Sequence, residues 1–291
     1  MKNNKSLYNK KKSISDMLLK FLIYLSTTIT ISIFLSIIIY ILYNGIPYLS
    51  LKFISTAYSE IDSSLKGILP MLINTMYIVI ITLLFAVPIG IASAIYLTQY
   101  AKQGKLVKSI RFTTEILSGI PSVIFGLFGY TIFCVILGLG TSILSGCLTM
   151  MLCVLPTIIR TSEEALLSVP KSYKEGAIAL GAGKLRVVLE IIVPSAISGI
   201  ITSIILAIGR IVGESAALLY TSGMAYNMPK GMFSHIFSSG RTLTLHLYQT
   251  AKQANTPDSF SQAFATATIL LILVFILNVI ASTISKIVKK Y

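Results

Sequence analysis

The hydrocarbon core of a bilayer admits a helix of about 20 apolar residues and excludes unpaired charge, and this chain is divided into charge-free stretches that meet that requirement. No Asp, Glu, Lys or Arg falls between Lys20 and Lys52, between Lys66 and Lys102, between Glu115 and Arg160, or between Asp258 and Lys286. A fifth stretch begins after Glu190 and is interrupted by Arg210 and Glu214. The third is long enough for two crossings, and Gly138, Gly140 and Thr141 offer a turn midway. Six spans are therefore expected, near Phe21 to Tyr43, Leu69 to Leu97, Leu117 to Leu137, Ser142 to Ile159, Ser195 to Tyr220 and Ala263 to Ile284. The fold class is all-α and polytopic. Composition agrees, since 12% of residues are charged where an ordinary soluble domain carries about 25%.

A net charge of +14 would suit a nucleic-acid binder, but the basic residues are distributed by topology. Lys2, Lys5, Lys10, Lys11, Lys12 and Lys20 precede the first span, and Lys286, Lys289 and Lys290 follow the last. Lys102, Lys105, Lys108 and Arg111 occupy the second-to-third connection, and Arg160, Lys171, Lys174, Lys184 and Arg186 the fourth-to-fifth. By the positive-inside rule these connections and both termini are cytoplasmic. The expected organisation is a basic cytoplasmic segment, 1–20, and one transmembrane domain, 21–291. The first apolar run is too long for a signal peptide and no small-residue cleavage site follows it. Cys134, Cys147 and Cys153 lie inside apolar runs as lipid-facing or packing residues. His235 and His246 are expected as solvated histidines of an outer loop, with no acidic or cysteine companion that would make a metal site.

The cytoplasmic stretch 160–194 is too long for a turn and rich in helix formers. Ser172 and Glu175 have the spacing of a capping box, so a helix is expected from Tyr173 to Leu180, ending at Gly181 in a left-handed cap. A second helix is expected from Lys184 to the vicinity of Pro194. Gly176, Ala177 and Ala179 allow another surface to approach the first arm closely, which makes the pair a docking element.

Here the sequence resembles the permease subunits of bacterial ABC importers, which share a loop of the pattern E-A-A, three residues, G, nine residues, I-x-L-P. This chain has Glu175, Gly176, Ala177, Gly181, Ile191, Val193 and Pro194 at those spacings. Gly176 and Val193 depart from the pattern, and Gly176 costs the helix about 1 kcal/mol relative to alanine. The resemblance implies a type I importer permease fold in which this loop couples to an ATP-hydrolysing subunit. The chain has no phosphate-cradling loop of its own, because Gly183-Lys184 is followed by Leu185 and Ile178 stands where the first glycine would be. It is therefore expected to be no enzyme and to hold no cofactor, with ATP and Mg on a partner.

Arg210 and Glu214, four apart within the fifth span, have two readings. They neutralise each other to make insertion tolerable, or Arg210 offers its guanidinium fork to an oxyanion while Glu214 holds it. The segments 209–221 and 119–128 look like the fifth and third spans of phosphate importer permeases, and Met228-Pro229 with Phe233 looks more like the PstA type than the PstC type. The resemblance implies a phosphate pathway containing Arg210 and Glu214, with Arg160 either joining them or serving as a cytoplasmic anchor. It also implies a homologous PstC-like permease, two copies of a PstB-like ATPase and an extracytoplasmic PstS-like phosphate-binding protein in the bacterial cytoplasmic membrane. Permeases for phosphonate, sulfate or molybdate, and a secondary transporter, are the alternatives. Pro88, Gly90, Pro121 and Gly126 are expected to kink their spans or to let helices pack closely.

Overall fold

The computed structural model describes residues 14–59, 66–229, 231, 233–253 and 257–288. Lys2 to Lys12, Lys230, Lys289 and Lys290, on which part of the topological expectation rests, lie outside the described residues. The elements are α1 (Ile14–Gly45), α2 (Leu51–Ser55), α3 (Leu69–Ile95), α4 (Lys105–Gly119), α5 (Ser122–Gly129), α6 (Ile143–Leu167), α7 (Lys171–Ala179), α8 (Lys184–Val187), α9 (Val193–Gly213), α10 (Ala216–Thr221), α11 (Leu243–Lys252) and α12 (Pro257–Val288). Wider π-helical turns at Tyr96–Tyr100, Tyr130–Ile136 and Val188–Ile192 continue α3, α5 and α8. Five helices are long and apolar enough to cross a membrane, and six if α4 and α5 are taken as one bent span.

α3, α6 and α9 form the centre. Ile78, Val79 and Ala86 of α3 meet Met150, Cys153, Val154 and Ile158 of α6 and Ala207, Ile208 and Ile211 of α9 in one buried cluster. Small residues set these distances. A Cβ on Gly90 would lie 2.6 Å from Ile158 Cγ2, one on Gly126 2.9 Å from Ala217 Cα, and one on Gly199 2.4 Å from Ala165 Cβ. Close packing is thus the role of Gly90 and Gly126, as expected of small residues where lipid supplies no hydrophobic force between helices. All three cysteines are buried, which selects packing over lipid contact. α1 packs near its end against α12, where Tyr40 meets Phe264 edge-on at 5.5 Å and Thr268 bonds the Ile41 carbonyl. Its remaining apolar side chains are exposed, as suits a helix solvated by lipid.

Three expectations change. The third span does not begin at Leu117: α4 is a separate amphipathic helix, bent by 101° from the Ser122–Ile136 segment. Pro121 has φ −57° and ψ 136° at this elbow, extended angles that no helix holds, and the residue before it is driven from the helical region by the proline ring. The turn at Gly138 and Gly140 is present, with φ of +68° and +61°. The fifth span is not continuous either. α9 ends at Gly213, Glu214 is extended with φ −78° and ψ 126°, and α10 begins afresh at Ala216. Finally, the helix expected to stop near Pro194 runs through it, with α8, the π turn and α9 forming one span from Lys184 to Gly213. The π turn at Val188–Ile192 absorbs the change in register.

Candidate functional site: the loop between α6 and α9 and a broken span

α7 carries Glu175, Gly176 and Ala177, and Gly181 follows it with φ +83°. That conformation costs any residue with a Cβ about 1–2 kcal/mol, so glycine is the residue that turns the chain here. The capping box is absent: α7 begins at Lys171 after Pro170, with no side-chain cap. Proline at the boundary, already confined to extended angles, does the starting instead. Ala177 is buried with Val187, Val188, Ile192 and Ala196 against Ala94 at the inner end of α3. Glu175 and Gly176 stay exposed. On the outside of the loop Leu180 is 91% exposed, and Tyr173, Ile178 and Leu185 are also exposed. These apolar side chains therefore stand open beside the charged residues Lys171, Lys174, Glu175, Lys184 and Arg186 of the same loop. Ile191 is half-buried and Pro194 exposed, so the last two motif residues belong to the root of α9 rather than to the loop surface.

Arg210 lies in the last turn of α9 and Glu214 just past it. No ion pair joins them among the described residues. The break turns the Glu214 carboxylate forward, where Oε1 accepts from the Ala217 N–H at 3.1 Å. They are thus not an i,i+4 pair on one helical face, although both remain within electrostatic reach of the Cys153 thiol of α6. Cβ atoms built on Gly209 or Gly213 would meet nothing within 4 Å, so one side of α9 beside Arg210 is open. Arg160 is elsewhere, about 10 Å further along α6 than Cys153 at 1.5 Å per residue. Its guanidinium pairs with Glu115 at 3.5 Å and Glu164 at 3.3 Å. It lines a cleft of about 300 Å³ with Arg111, Thr114, Glu115, Glu163, Glu164 and Leu167. Three carboxylates stand against two guanidiniums in this cleft, so both guanidiniums are paired.

Sequence reasoning missed two polar clusters. Glu163, 8% exposed, accepts from Arg111 Nε at 2.6 Å, and Arg111 also reaches Gln103 Oε1 at 3.2 Å, binding α4 to α6. On the other side of the core, His235 and His246 are buried rather than solvated. His235 Nε2 donates to Asn74 Oδ1 at 2.6 Å, and Asn74 Nδ2 donates to the Arg241 carbonyl at 3.1 Å. His246 stands edge-on to Tyr58 at 4.8 Å, and burial, helped by the Arg241 charge, pushes its pKa down to about 3. The legible signal was Asn74-Thr75, an amide and a hydroxyl at the start of an otherwise apolar span.

A multi-helix core whose helices break at Pro121 and Glu214, with a structured loop between α6 and α9, is the architecture of a multi-pass membrane protein. The chain belongs to the family of binding-protein-dependent transport system inner membrane components, which matches residues 86–290. It is a multi-pass inner membrane protein, and in this family the membrane subunit is non-catalytic, carries no cofactor of its own and leaves ATP hydrolysis to a separate subunit. It is 34% identical over 290 residues to the probable ABC transporter permease protein YqgI of Bacillus subtilis (strain 168), covering 96% of this chain and 98% of that one. It is 34% identical over 201 residues to the phosphate transport system permease protein PstA of Xylella fastidiosa (strain 9a5c), covering 69% and 67%. The fold is similar to that of a bacterial alginate ABC transporter solved in complex with an alginate-pentasaccharide-bound periplasmic protein, with a TM-score of 0.68 at 15% identity over 96% of this chain and 99% of that one.

Proposed function

We propose that this chain is the PstA-like half of an importer that passes inorganic phosphate, paired with a PstC-like permease, driven by two PstB-like ATPases and supplied by a PstS-like binding protein. The observation that carries the substrate is Arg210, a guanidinium inside a span at the point where the helix breaks and one side stands open. A charge so placed costs several kcal/mol unless it faces a cavity or a partner, and a fork of N–H donors matches a tetrahedral oxyanion. Likeness to PstA over two thirds of the chain supports the same choice. In this reading Glu214 holds the break through Ala217 and tempers the field of Arg210, so that the anion is released as well as bound. Arg160 serves as an anchor at the cytoplasmic mouth, and both termini lie in the cytoplasm.

Coupling follows from the loop. Closure of the ATPases displaces α7 through Glu175, Gly176, Ala177 and Gly181, while Ile191 and Pro194 at the root of α9 carry the displacement toward Arg210. In proteoliposomes holding the full complex, Arg210→Ala is expected to lower phosphate uptake at least tenfold with ATPase copurification unchanged. Undiminished uptake returns Arg210 to the role of a neutralising charge. Stimulation of ATP hydrolysis by the binding protein loaded with sulfate, molybdate or a phosphonate, and not with phosphate, moves the assignment to another oxyanion.

A further inference from the structure

α3 is hydrogen-bonded at both ends to loops on opposite sides of the core. At its outer end Asn74, 0% exposed, accepts from His235 Nε2 and donates to the Arg241 carbonyl, while Thr75 Oγ1 accepts from the Leu243 N–H at 2.9 Å. His235 and Arg241 belong to the segment between α10 and α11, and Leu243 is the first residue of α11. The approach is tight: a Cβ on Gly240 would lie 3.0 Å from Asn74 Nδ2. At its inner end, the π turn that continues α3 meets the coupling loop twice. Lys174 Nζ of α7 donates to Gln99 Oε1 at 3.2 Å, and Lys184 Nζ of α8 lies 4.8 Å from the centre of the Tyr100 ring. Beneath these, Ala94 packs with Ala177 and Val188. Between the ends α3 is one helix of 27 residues, about 40 Å long. Pro88 does not interrupt it, and it is held to α6 where Gly90 meets Ile158.

We infer that α3 relays displacement of the cytoplasmic coupling loop to the extracytoplasmic 222–253 segment, with Gln99 and Tyr100 as its inner positioning residues and Asn74 and Thr75 as its outer ones. The physical ground is that each end is held by directional bonds. Those at the outer end are buried, where losing a partner costs about 1–3 kcal/mol per group, so the outer segment follows the helix rather than letting go. The inner contacts are more exposed and are the ones a variant removes without unfolding the chain. The inference rests on the coupling role of α7 proposed above, and it gives the coupling loop a second output beside the α9 route to Arg210.

The test reads the far end. Amide hydrogen exchange is followed at Gly240 to Leu245 in the full complex, with and without trapping by ATP and orthovanadate. In the wild type, trapping is expected to change exchange of the Leu243 amide at least fivefold. In the Gln99→Ala/Lys184→Ala variant that change is expected to fall at least threefold, with insertion, copurification and basal ATP hydrolysis retained. A wild-type response preserved in the variant, or no response in the wild type, overturns the relay. The complementary variant Asn74→Ser shortens the outer tie, and it is expected to lower ATPase stimulation by the binding protein while leaving basal hydrolysis alone. The exchange measurement uses nucleotide without any transported anion, so its outcome is independent of whether phosphate is the substrate.

Discussion

His246 shows how a single side chain constrains the outer segment. Its imidazole is buried against Tyr58 beside Arg241, and Nδ1 has no hydrogen-bond partner among the described residues. Held neutral down to about 3 in the folded chain but titrating near 6.5 when exposed, it takes up protons in the unfolded state first. Stability from this group is therefore complete above about pH 6.5 and is lost as pH falls toward 3. Thermal unfolding in detergent should show a midpoint falling below pH 6.5, and His246→Phe should flatten that fall. An identical pH profile in the variant would assign the acid sensitivity to other groups. Arg111→Ala makes a second case at this scale. It strands the Glu163 carboxylate in a nearly buried site, with an expected loss of about 1–3 kcal/mol by thermal unfolding. Arg111→Ala/Glu163→Ala together should recover part of it. Asn74-Thr75 was visible as a polar start to its span, but neither pairing was legible beforehand, because Arg111 and Glu163 are 52 positions apart and His235 and Asn74 are 161 apart, and spacing in the chain says nothing of such contacts.

Among the elements, the coupling loop was the most legible. Its helix was expected at 173–180 and stands at Lys171–Ala179, and Gly181 holds the left-handed turn, because glycine after a helix former run is a local steric signal. Gly181→Val places a β-branched residue at φ +83°, where open space spares it any clash and the strain lies in the backbone alone. Insertion and assembly should persist while ATP-driven uptake drops severalfold, and normal uptake would argue against the coupling role. Gly90→Leu should act differently, because its side chain would collide with Ile158 and spread α3 from α6. Loss of stability of about 1–3 kcal/mol is expected, measurable as a lower detergent unfolding midpoint. The break at Glu214 escaped the reading by apolar length, and the kink allowed for at Pro121 was placed within a span rather than between two helices, since hydropathy averages over a window and cannot register where one residue leaves the helical region.

For the whole molecule, the separation of chain and motor has a direct consequence. Purified alone into vesicles, the chain should move no phosphate with or without ATP, and uptake should appear only when the permease partner, ATPase and binding protein are added. Transport by the chain by itself would overturn the assignment to an ATP-driven importer. Charge exclusion from the bilayer is a property of each residue and its near neighbours, and for that reason the apolar segments, the all-helical class and the helical loop with its left-handed glycine were determined by the sequence itself. Tertiary structure decided what depends on distant residues meeting: the Arg111–Glu163 bond, the buried ties of Asn74 and Thr75 at one end of α3, and the part-buried tie of Gln99 to Lys174 at the other. These follow from packing in three dimensions, where a buried polar group must find its partner wherever along the chain that partner lies.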